Sequence, residues 1–261
     1  DTLERFGFGS NTGSGFPFES SGLLRAWESW QPLDHATIAF GQGINVTPIQ
    51  LATATAALAN DGQWIRPRLI AARRRSEGSW HPTPVERVRR VVSPTTARAV
   101  LKMMEGVVGP EGTGRRAGLR DVRVAGKTGT AQKFDSDAGT YSQDRYLAWF
   151  IGAVPAEDPR IVIVVVIDEP QGISHGGGDF AAPLFARIAA THLSSLGIVT
   201  SPMPIRAKRA ETKIVRSEPK PKPVQPPSVE PQKMADSVAP SSNPAIRLGD
   251  RLLLPDFTGL S

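Results

Sequence analysis

One short stretch of the sequence combines residue types that could do chemistry, because Gly126, Lys127, Thr128, Gly129 and Thr130 are consecutive. A phosphate-binding loop also ends in Gly-Lys-Thr, but it needs a glycine five residues earlier and a helix directly after the threonine. Position 121 holds aspartate, and the second glycine of the stretch would interrupt such a helix. A nucleotide site is therefore disfavoured here.

Two interpretations of this stretch stay open on its residues alone. It could be a surface strand with an incidental lysine, since lysine is mostly exposed in proteins. It could instead be an active-site strand, in which Lys127 and the hydroxyls of Thr128 and Thr130 bind a substrate carboxylate. Gly129 would then let the substrate lie close to the strand, and the backbone N–H of Thr130 could stabilise a developing oxyanion.

Other candidate sites have weaker support. Ser174 and His175 could form a catalytic pair, but a flexible loop at the rim of a cleft is favoured because a triad needs spatial evidence. Asp168 and Glu169 could act as paired carboxylates in glycoside cleavage, although a solvated strand end is favoured. A glycine pair at 41 and 43 lacks the rest of the dinucleotide pattern, and arginines at 73–75 predict a polar turn. The histidines lack metal-ligand spacing, so neither a metal nor a cofactor is expected: His35, His81, His175 and His192.

The composition fits a folded protein and excludes several kinds of site. Of the 261 residues, 39% are hydrophobic, so wholesale disorder is excluded. There is no cysteine, which rules out disulfides, thiol nucleophiles and cysteine-ligated zinc. The longest apolar run, Ile161 to Ile167, is far shorter than the roughly 20 residues of a membrane helix. With no signal-peptide pattern at the start either, we expect any membrane anchor to lie outside this chain.

The positive charge is concentrated in one segment. The net charge is +6 with an isoelectric point near 10.0, which permits an anionic partner. Residues 201–245 contain eight basic and four acidic residues, ten prolines and no aromatic residue. This composition predicts an extended Pro/Lys-rich disordered linker. Nucleic acid is disfavoured as a partner, because its readers interleave aromatic residues with basic ones.

Hydrophobic periodicity and turn signals predict an α/β domain over residues 1–200. Helices are expected from about Thr47 to Asn60, Pro94 to Val107 and Ala181 to Leu196. A short strand or strand pair is expected within Trp64 to Ala72, and three strands at Val122 to Gln132, Arg145 to Val154 and Ile161 to Asp168. The last strand is expected to be buried on both faces because it is continuous isoleucine and valine. Short connections favour an antiparallel sheet, flanked by the helices.

The stretch at 127–129 is also one of three signatures of the penicillin-recognising serine enzymes. From about Leu3 to Leu196 the sequence resembles the monofunctional (class B) penicillin-binding proteins, the septal and elongation D,D-transpeptidases of peptidoglycan. The agreeing stretches follow the family order: 6–13 (FGFGSNTG), 41–52 (GQGINVTPIQLA), 111–117 (EGTGRRA), 124–132 (VAGKTGTAQ), 149–152 (WFIG), 176–177 (GG) and 182–185 (APLF).

The resemblance implies the penicillin-binding transpeptidase and serine β-lactamase-like fold, incomplete in this chain. It implies that Lys127 binds the substrate carboxylate and sets the electrostatics, and that Thr128 and Thr130 hydrogen-bond the same carboxylate. It also implies that Gly129 permits close approach and that the Thr130 N–H is one of two oxyanion donors. The family's Ser-x-x-Lys nucleophile and Ser-x-Asn motifs are expected before Asp1, so the chain alone should be inactive.

The full-length protein is accordingly expected to bind penicillin and to crosslink peptidoglycan stem peptides ending in D-Ala-D-Ala through a serine acyl-enzyme. It would act at the outer face of the bacterial cytoplasmic membrane, beside membrane proteins of division or elongation. The alternatives are a D,D-carboxypeptidase or β-lactamase of the same fold, and a non-catalytic β-lactam-sensing or wall-binding protein. Residues 246–261 resemble the start of a PASTA module, a small cell-wall-binding repeat, with a frayed tail as the alternative.

Overall fold

The Lys-Thr-Gly stretch lies in a sheet of three antiparallel strands. The computed structural model describes residues 2–74, 78–135, 140–171 and 176–204, together with 247–248 and 251–252. Strand β5 spans Ala125–Asp135, β6 spans Thr140–Val154 and β7 spans Ile161–Asp168, in the sheet order β5-β6-β7. Both pairings are antiparallel, as predicted. The strand that carries the lysine, β5, lies at one edge of this three-stranded sheet.

Three strand predictions need correction, and one of them is the start of β6, which lies at Thr140 instead of the predicted Arg145. The predicted strand at Val122 begins only at Ala125, because the carbonyl of Arg123 accepts a hydrogen bond from the Ala156 N–H, 2.8 Å away, in a loop rather than in the ladder. Strand β7 has the predicted bounds, but burial on both faces is wrong. Only Val165 along this strand is buried, because β7 is an outer strand of the sheet among the described residues.

The two helices on one side of the sheet each begin with a side-chain cap. Helix α3 spans Pro48–Ala59, and the Thr47 hydroxyl accepts from the Gln50 N–H while the Gln50 side chain accepts from the Thr47 N–H. This reciprocal capping satisfies two backbone donors that the helix itself leaves unpaired. Helix α4 spans Pro94–Val108, and the Ser93 hydroxyl caps it by accepting from the Thr96 N–H.

A third long helix covers the opposite face of the sheet. Helix α5 spans Gly177–Ser195, so it starts four residues before the predicted Ala181 and contains Pro183 in its interior. Its buried face includes Phe185, whose ring meets Phe150 of β6 edge-on with the centroids 4.8 Å apart. A smaller cluster joins Leu101 of α4 to the other face of the sheet. The sheet is therefore flanked by helices on both faces, which confirms the predicted fold class.

Shorter elements connect these parts. Strand β1 pairs with β4, and β2 pairs with β3. Their bounds, with those of the small helices, are α1 Thr2–Arg5, α2 Pro32–Ile38, β1 Gln63–Ile65, β2 Ala72–Arg74, β3 Trp80–Pro82 and β4 Arg87–Arg90. Single 3-10 turns lie at Trp27–Ser29 and Arg115–Ala117.

Two predictions are corrected by these short strands. The strand or strand pair expected within Trp64 to Ala72 is absent among these described residues. Instead, β1 ends and β2 begins within this range, and each pairs with a later strand rather than with the other. Pro67, which has no N–H to donate to a ladder, lies between them. The polar turn expected at Arg73 to Arg75 is also wrong for its first part, because Arg73 and Arg74 belong to strand β2.

The buried side chain of Gln50 organises the turn-rich segment before α2. Its amide nitrogen donates to the carbonyl oxygens of Ser10 and Ser21, each 2.8 Å away. Its amide oxygen accepts from the Thr47 N–H at 2.9 Å. One helical side chain therefore holds three loop segments together, and these segments lead to one wall of the cleft described below.

The chain divides into two units, of which the smaller covers residues 206–257. In it the structure describes only strands β8, Arg247–Leu248, and β9, Arg251–Leu252, which pair antiparallel. The predicted linker at 201–245 lies outside the described residues except for 201–204, and most of the possible PASTA-like segment at 246–261 lies outside them too. Both stay predictions.

Candidate active site

The first half of strand β5 forms one wall of a cleft of about 580 Å³. The Lys-Thr-Gly stretch and the residues after it, Lys127 to Gln132, all line this cleft. The facing wall is the loop from Ile38 to Val46, continued by Pro48 and Leu51 of α3. The sequence prediction of an active-site strand thus matches a strand at the edge of the sheet that borders an open, mixed polar and apolar cavity.

Strand alternation places the chemical groups of β5 on two faces. Successive side chains of a strand point to opposite faces, so Lys127 and Gly129 share one face and Thr128 and Thr130 share the other. The contacts agree with this division. Gly129 faces Trp149 of β6, whereas both threonines meet residues from the glycine loop or from the start of α5.

Lys127 presents an exposed ammonium at the cleft. Its Nζ donates to the backbone carbonyl of Thr128, 2.6 Å away. It forms no ion pair with any described carboxylate, whereas Lys133 farther along the strand does. A lysine that is held by a carbonyl and has no carboxylate beside it can offer its ammonium to an anionic ligand.

The Thr130 hydroxyl is oriented by the first residue of α5. Its oxygen accepts a hydrogen bond from the backbone N–H of Gly177 at 3.2 Å. This contact uses one lone pair of the hydroxyl and leaves its hydrogen available to donate. The start of a 19-residue helix also carries partial positive charge, which favours an anion near this hydroxyl.

The Thr128 hydroxyl is paired with a residue for which the sequence suggested no role. Its oxygen lies 2.8 Å from the hydroxyl oxygen of Thr113, and either can be the donor. Thr113 belongs to the glycine loop at 109–118 that follows α4. The only sequence signal for it was its place within the Gly-Thr-Gly stretch that resembles the family's loop before the active-site strand.

Gly129 is required by its neighbour across the strand pair. A Cβ at this position would lie 1.8 Å from Cε2 of the Trp149 indole, directly opposite on β6. The indole therefore occupies the space that any side chain at position 129 would need. The predicted reason for this glycine, close approach of a substrate, stays a prediction, since steric conflict with Trp149 alone accounts for the residue.

The paired carboxylates considered for glycoside cleavage are bound by a lysine. Lys133 Nζ donates to Glu169 at 2.8 Å and to Asp168 at 2.9 Å. The hydrogen bond to Glu169, and after it the one to Asp168, raises the pKa of Lys133 above its ordinary value. Carboxylates neutralised in this way at the end of β7 form an ion cluster that ties β5 to β7, which favours the structural interpretation.

The remaining candidates do not assemble a second site among the described residues. His35 contacts Trp30 edge-on, with the ring centroids 5.3 Å apart. Within the described ranges no group of three or more histidine, aspartate or glutamate side chains is arranged to hold a metal ion. Ser174 and His175 lie outside the described residues, so the pairing considered for them stays untested.

Two stretches after the Lys-Thr-Gly strand match the missing motifs by spacing alone. Ser217 is followed three residues later by Lys220, and Ser241 is followed two residues later by Asn243. Both occur in the proline-rich segment, outside the described residues, and they follow the Lys-Thr-Gly strand, whereas the family has both motifs before it. Pro219 would also interrupt a helix between Ser217 and Lys220, so neither stretch changes the expectation that the nucleophile lies elsewhere.

Comparison with known proteins decides the family. The family model described as "Penicillin binding protein transpeptidase domain" matches residues 1–190. The chain belongs to this family. The match confirms the resemblance to class B penicillin-binding proteins that the sequence suggested, and it contains α3, α4, β5, β6 and β7 in full and α5 as far as Ala190.

Individual relatives agree with the family match. Penicillin-binding protein PbpB of Mycolicibacterium smegmatis is 38% identical over 213 residues, covering 78% of this chain and 33% of the relative. The probable peptidoglycan D,D-transpeptidase PenA of Neisseria meningitidis is 37% identical over 198 residues, covering 76% of this chain and 32% of the relative. The crystal structure of penicillin-binding protein 3 from Mycobacterium tuberculosis with ampicillin is 37% identical, with a TM-score of 0.69, over 79% of this chain and 47% of that chain.

The chain spans about a third of the length of these curated relatives. The activity, substrates and partners of the whole protein are therefore matters of proposal. None of the helices in the described ranges combines the length and apolarity needed to cross a bilayer.

Proposed function

We propose that this chain supplies the substrate-binding strand of a serine peptidoglycan D,D-transpeptidase. The observation that supports this most directly is the row of donors along the edge strand β5. The hydroxyls of Thr128 and Thr130 lie on one face, each held by a hydrogen bond, and the ammonium of Lys127, which has no carboxylate partner among the described residues, starts from the other face and is held at the Thr128 carbonyl. Fixed hydroxyls and a cation at an open cleft suit a peptide carboxylate.

The substrate carboxylate would belong to the terminal D-Ala of a stem peptide. Binding it to Thr128 and Thr130 aligns the peptide along β5, and the carbonyl of the penultimate D-Ala then lies beside the Thr130 N–H. A serine from the family's Ser-x-x-Lys motif would attack this carbonyl, and the N–H would stabilise the negative charge that develops on its oxygen. The C–N bond then breaks, and terminal D-Ala leaves as an amine that takes up a proton.

The second half of the reaction transfers the acyl group. An amine from a neighbouring stem peptide attacks the serine ester, forms the new amide bond and loses a proton, and the serine hydroxyl is regenerated. Strand β5 would bind the carboxylate of a β-lactam in the same way, as the ampicillin complex of a 37% identical relative suggests. Lys127 would assist by lowering the energy of the anionic ligand and of the anionic intermediate.

The setting of this activity is part of the proposal. Relatives named as peptidoglycan D,D-transpeptidases support stem peptides ending in D-Ala-D-Ala as the substrate and β-lactams as inhibitors. By the same reasoning, the full-length protein would act outside the bacterial cytoplasmic membrane, with membrane proteins of division or elongation as partners.

Removal of the Lys127 ammonium tests the proposal. In the full-length protein, Lys127→Ala should slow acylation by fluorescent penicillin at least tenfold, because a hydrogen bond to a charged group contributes about 1.5–3 kcal/mol. Lys102→Ala is the matched control, since Lys102 is an exposed lysine of α4 that pairs with Glu105. Equal acylation of the Lys127 variant and the wild type would remove Lys127 from the site.

Product analysis separates the transpeptidase from its same-fold alternatives. The protein is incubated with a D-Ala-D-Ala-terminated peptide and a D-amino acid as acceptor amine. Incorporation of the acceptor supports a transpeptidase, whereas loss of D-Ala without incorporation indicates a carboxypeptidase. Rapid turnover of penicillin would indicate a β-lactamase, and no acylation at all would favour a non-catalytic protein.

A further inference from the structure

We propose that Thr113 is a positioning residue that determines how well the site recognises a ligand carboxylate. This inference rests on the proposed function, since it assigns the residue that orients the Thr128 hydroxyl. The geometric basis is the 2.8 Å separation of the two hydroxyl oxygens. Thr113 does not belong to the Lys-Thr-Gly strand, so its effect would be exerted through Thr128.

The glycine loop holds Thr113 from both sides. The N–H of Gly114 donates to the carbonyl of Val107 at the end of α4, 2.8 Å away. A Cβ at Gly112 would lie 2.0 Å from the same carbonyl, and a Cβ at Gly114 would lie 2.7 Å from the ring of the buried Phe150. The residues flanking Thr113 are therefore pressed against α4 and the core, which limits how far Thr113 can move.

The start of α5 supports the loop from the other side. A Cβ at Gly178 would lie 2.1 Å from the Thr113 carbonyl oxygen, so the helix backbone touches the loop directly. Arg116 adds a polar contact, because its guanidinium donates to the Asp179 carbonyl at 2.8 Å. The next glycine back along the helix, Gly177, donates to Thr130. One helix end thus fixes the surroundings of both hydroxyls.

The two hydroxyls form a short relay when an anion is present. A carboxylate has no hydrogen to donate, so Thr128 must donate its own hydrogen to it. Thr113 must then donate to the oxygen of Thr128, and this second hydrogen bond polarises the first. Without Thr113 the Thr128 hydroxyl would lose its fixed orientation and that polarisation, while the backbone of β5 would keep its ladder.

The test compares two penicillins that differ only at the carboxylate. The full-length protein and its Thr113→Val variant are acylated by a penicillin with a free carboxylate and by its methyl ester. In the variant, acylation by the free acid should fall about 3- to 10-fold, as expected for one hydrogen bond. Acylation by the ester should change less than 2-fold, so the preference for the acid should fall.

Two further variants separate positioning from a general structural effect. Thr113→Ser keeps the hydroxyl and should restore the preference for the free acid. Thr191→Val removes an exposed hydroxyl that donates to the Arg187 carbonyl far along α5, and it should leave both rates unchanged. Melting temperatures are measured for every variant, to show that the Thr113→Val protein is folded.

Several outcomes would overturn the inference. An equal loss for the acid and the ester would show a purely structural role for Thr113, and no loss for either would show no role. Failure of Thr113→Ser to restore the preference would also count against the relay. If the wild type is labelled by neither penicillin, the proposed function itself fails and this inference with it, which distinguishes the two failures.

Discussion

The contact between Gly129 and Trp149 yields a quantitative prediction. A Cβ at position 129 would lie 1.8 Å from the indole, while ordinary van der Waals contact begins near 3.4 Å. The Gly129→Ala substitution therefore requires the ring to move by about 3.4 − 1.8 = 1.6 Å. Overpacking of this kind costs about 1–3 kcal/mol. For a domain of roughly 200 residues, this lowers the melting temperature by about 2–12 °C.

A double-mutant cycle assigns this cost to the indole. Trp149→Leu removes the atoms that a side chain at position 129 would meet, so adding Gly129→Ala to that background should cost at least 1 kcal/mol less than it does in the wild type. Thermal and urea unfolding provide the free energies. Gly106→Ala is the matched control, because a Cβ at Gly106 in α4 meets nothing within 4 Å and should stabilise the helix slightly.

The same variant distinguishes the two explanations for the glycine. If the glycine exists for substrate approach, as the sequence alone suggested, Gly129→Ala should keep its stability and lose penicillin acylation. If the indole requires it, stability should fall, and the loss should shrink in the Trp149→Leu background. A Gly129→Ala protein as stable as the wild type, or a cost that is equal in both backgrounds, would refute the steric reasoning.

Three further predictions concern the core, the turn-rich segment and the linker. Phe185→Ala should destabilise the domain by about 3–5 kcal/mol in urea unfolding, because the ring is fully buried; a loss below 1 kcal/mol would contradict this placement. The second prediction concerns the pKa of Glu19. Partial burial of the carboxyl raises this pKa, but hydrogen bonds from Thr12 and Ser14 lower it further and hold it below its ordinary value. Its stabilising contribution should therefore be present above about pH 4.3 and be lost as the pH falls through the lower folded pKa. The melting-temperature difference between wild type and Glu19→Gln should therefore shrink as the pH is lowered below about 4.3, and a difference that does not change with pH would refute the reasoning. In limited proteolysis, the protease should cut first within 205–245, and mass spectrometry should then find a core that ends after Met203. The N–H of Met203 donates to the Gly118 carbonyl at 2.9 Å, which attaches this residue to the domain. A linker that resists the protease would contradict the predicted disordered segment.

The elements that could be predicted are those with local sequence signals. Helix α3 follows from Thr47 as a cap and proline in the first turn, and β7 follows from its isoleucine and valine run. The start of α5 was missed because Gly177 and Gly178 are poor helix formers. They occupy the helix because the sheet and the glycine loop leave no room for a Cβ there, a tertiary contact that single-sequence patterns do not show.

The candidate site shows the same division between local and tertiary information. Lys127, Thr128 and Thr130 could be proposed from their order in the chain, because the motif is contiguous. Thr113 could not, because its relation to Thr128 arises only when the loop after α4 folds against β5. Trp149 was predicted as a strand residue without a role, since its effect on Gly129 depends on the register of β5 and β6.

Core packing and site geometry are coupled through α5. The helix is held to the sheet by Phe185, whose ring meets Phe150, and Phe150 also lies beneath the glycine loop at Gly114. The start of the same helix touches the site, because the Gly177 N–H donates to Thr130 and the Gly178 backbone lies against the Thr113 carbonyl. A small displacement of the helix would therefore reach both donor hydroxyls at once, because the glycine contacts leave no gap to absorb it. Substitutions in this part of the core should consequently lower carboxylate recognition even in variants that remain folded.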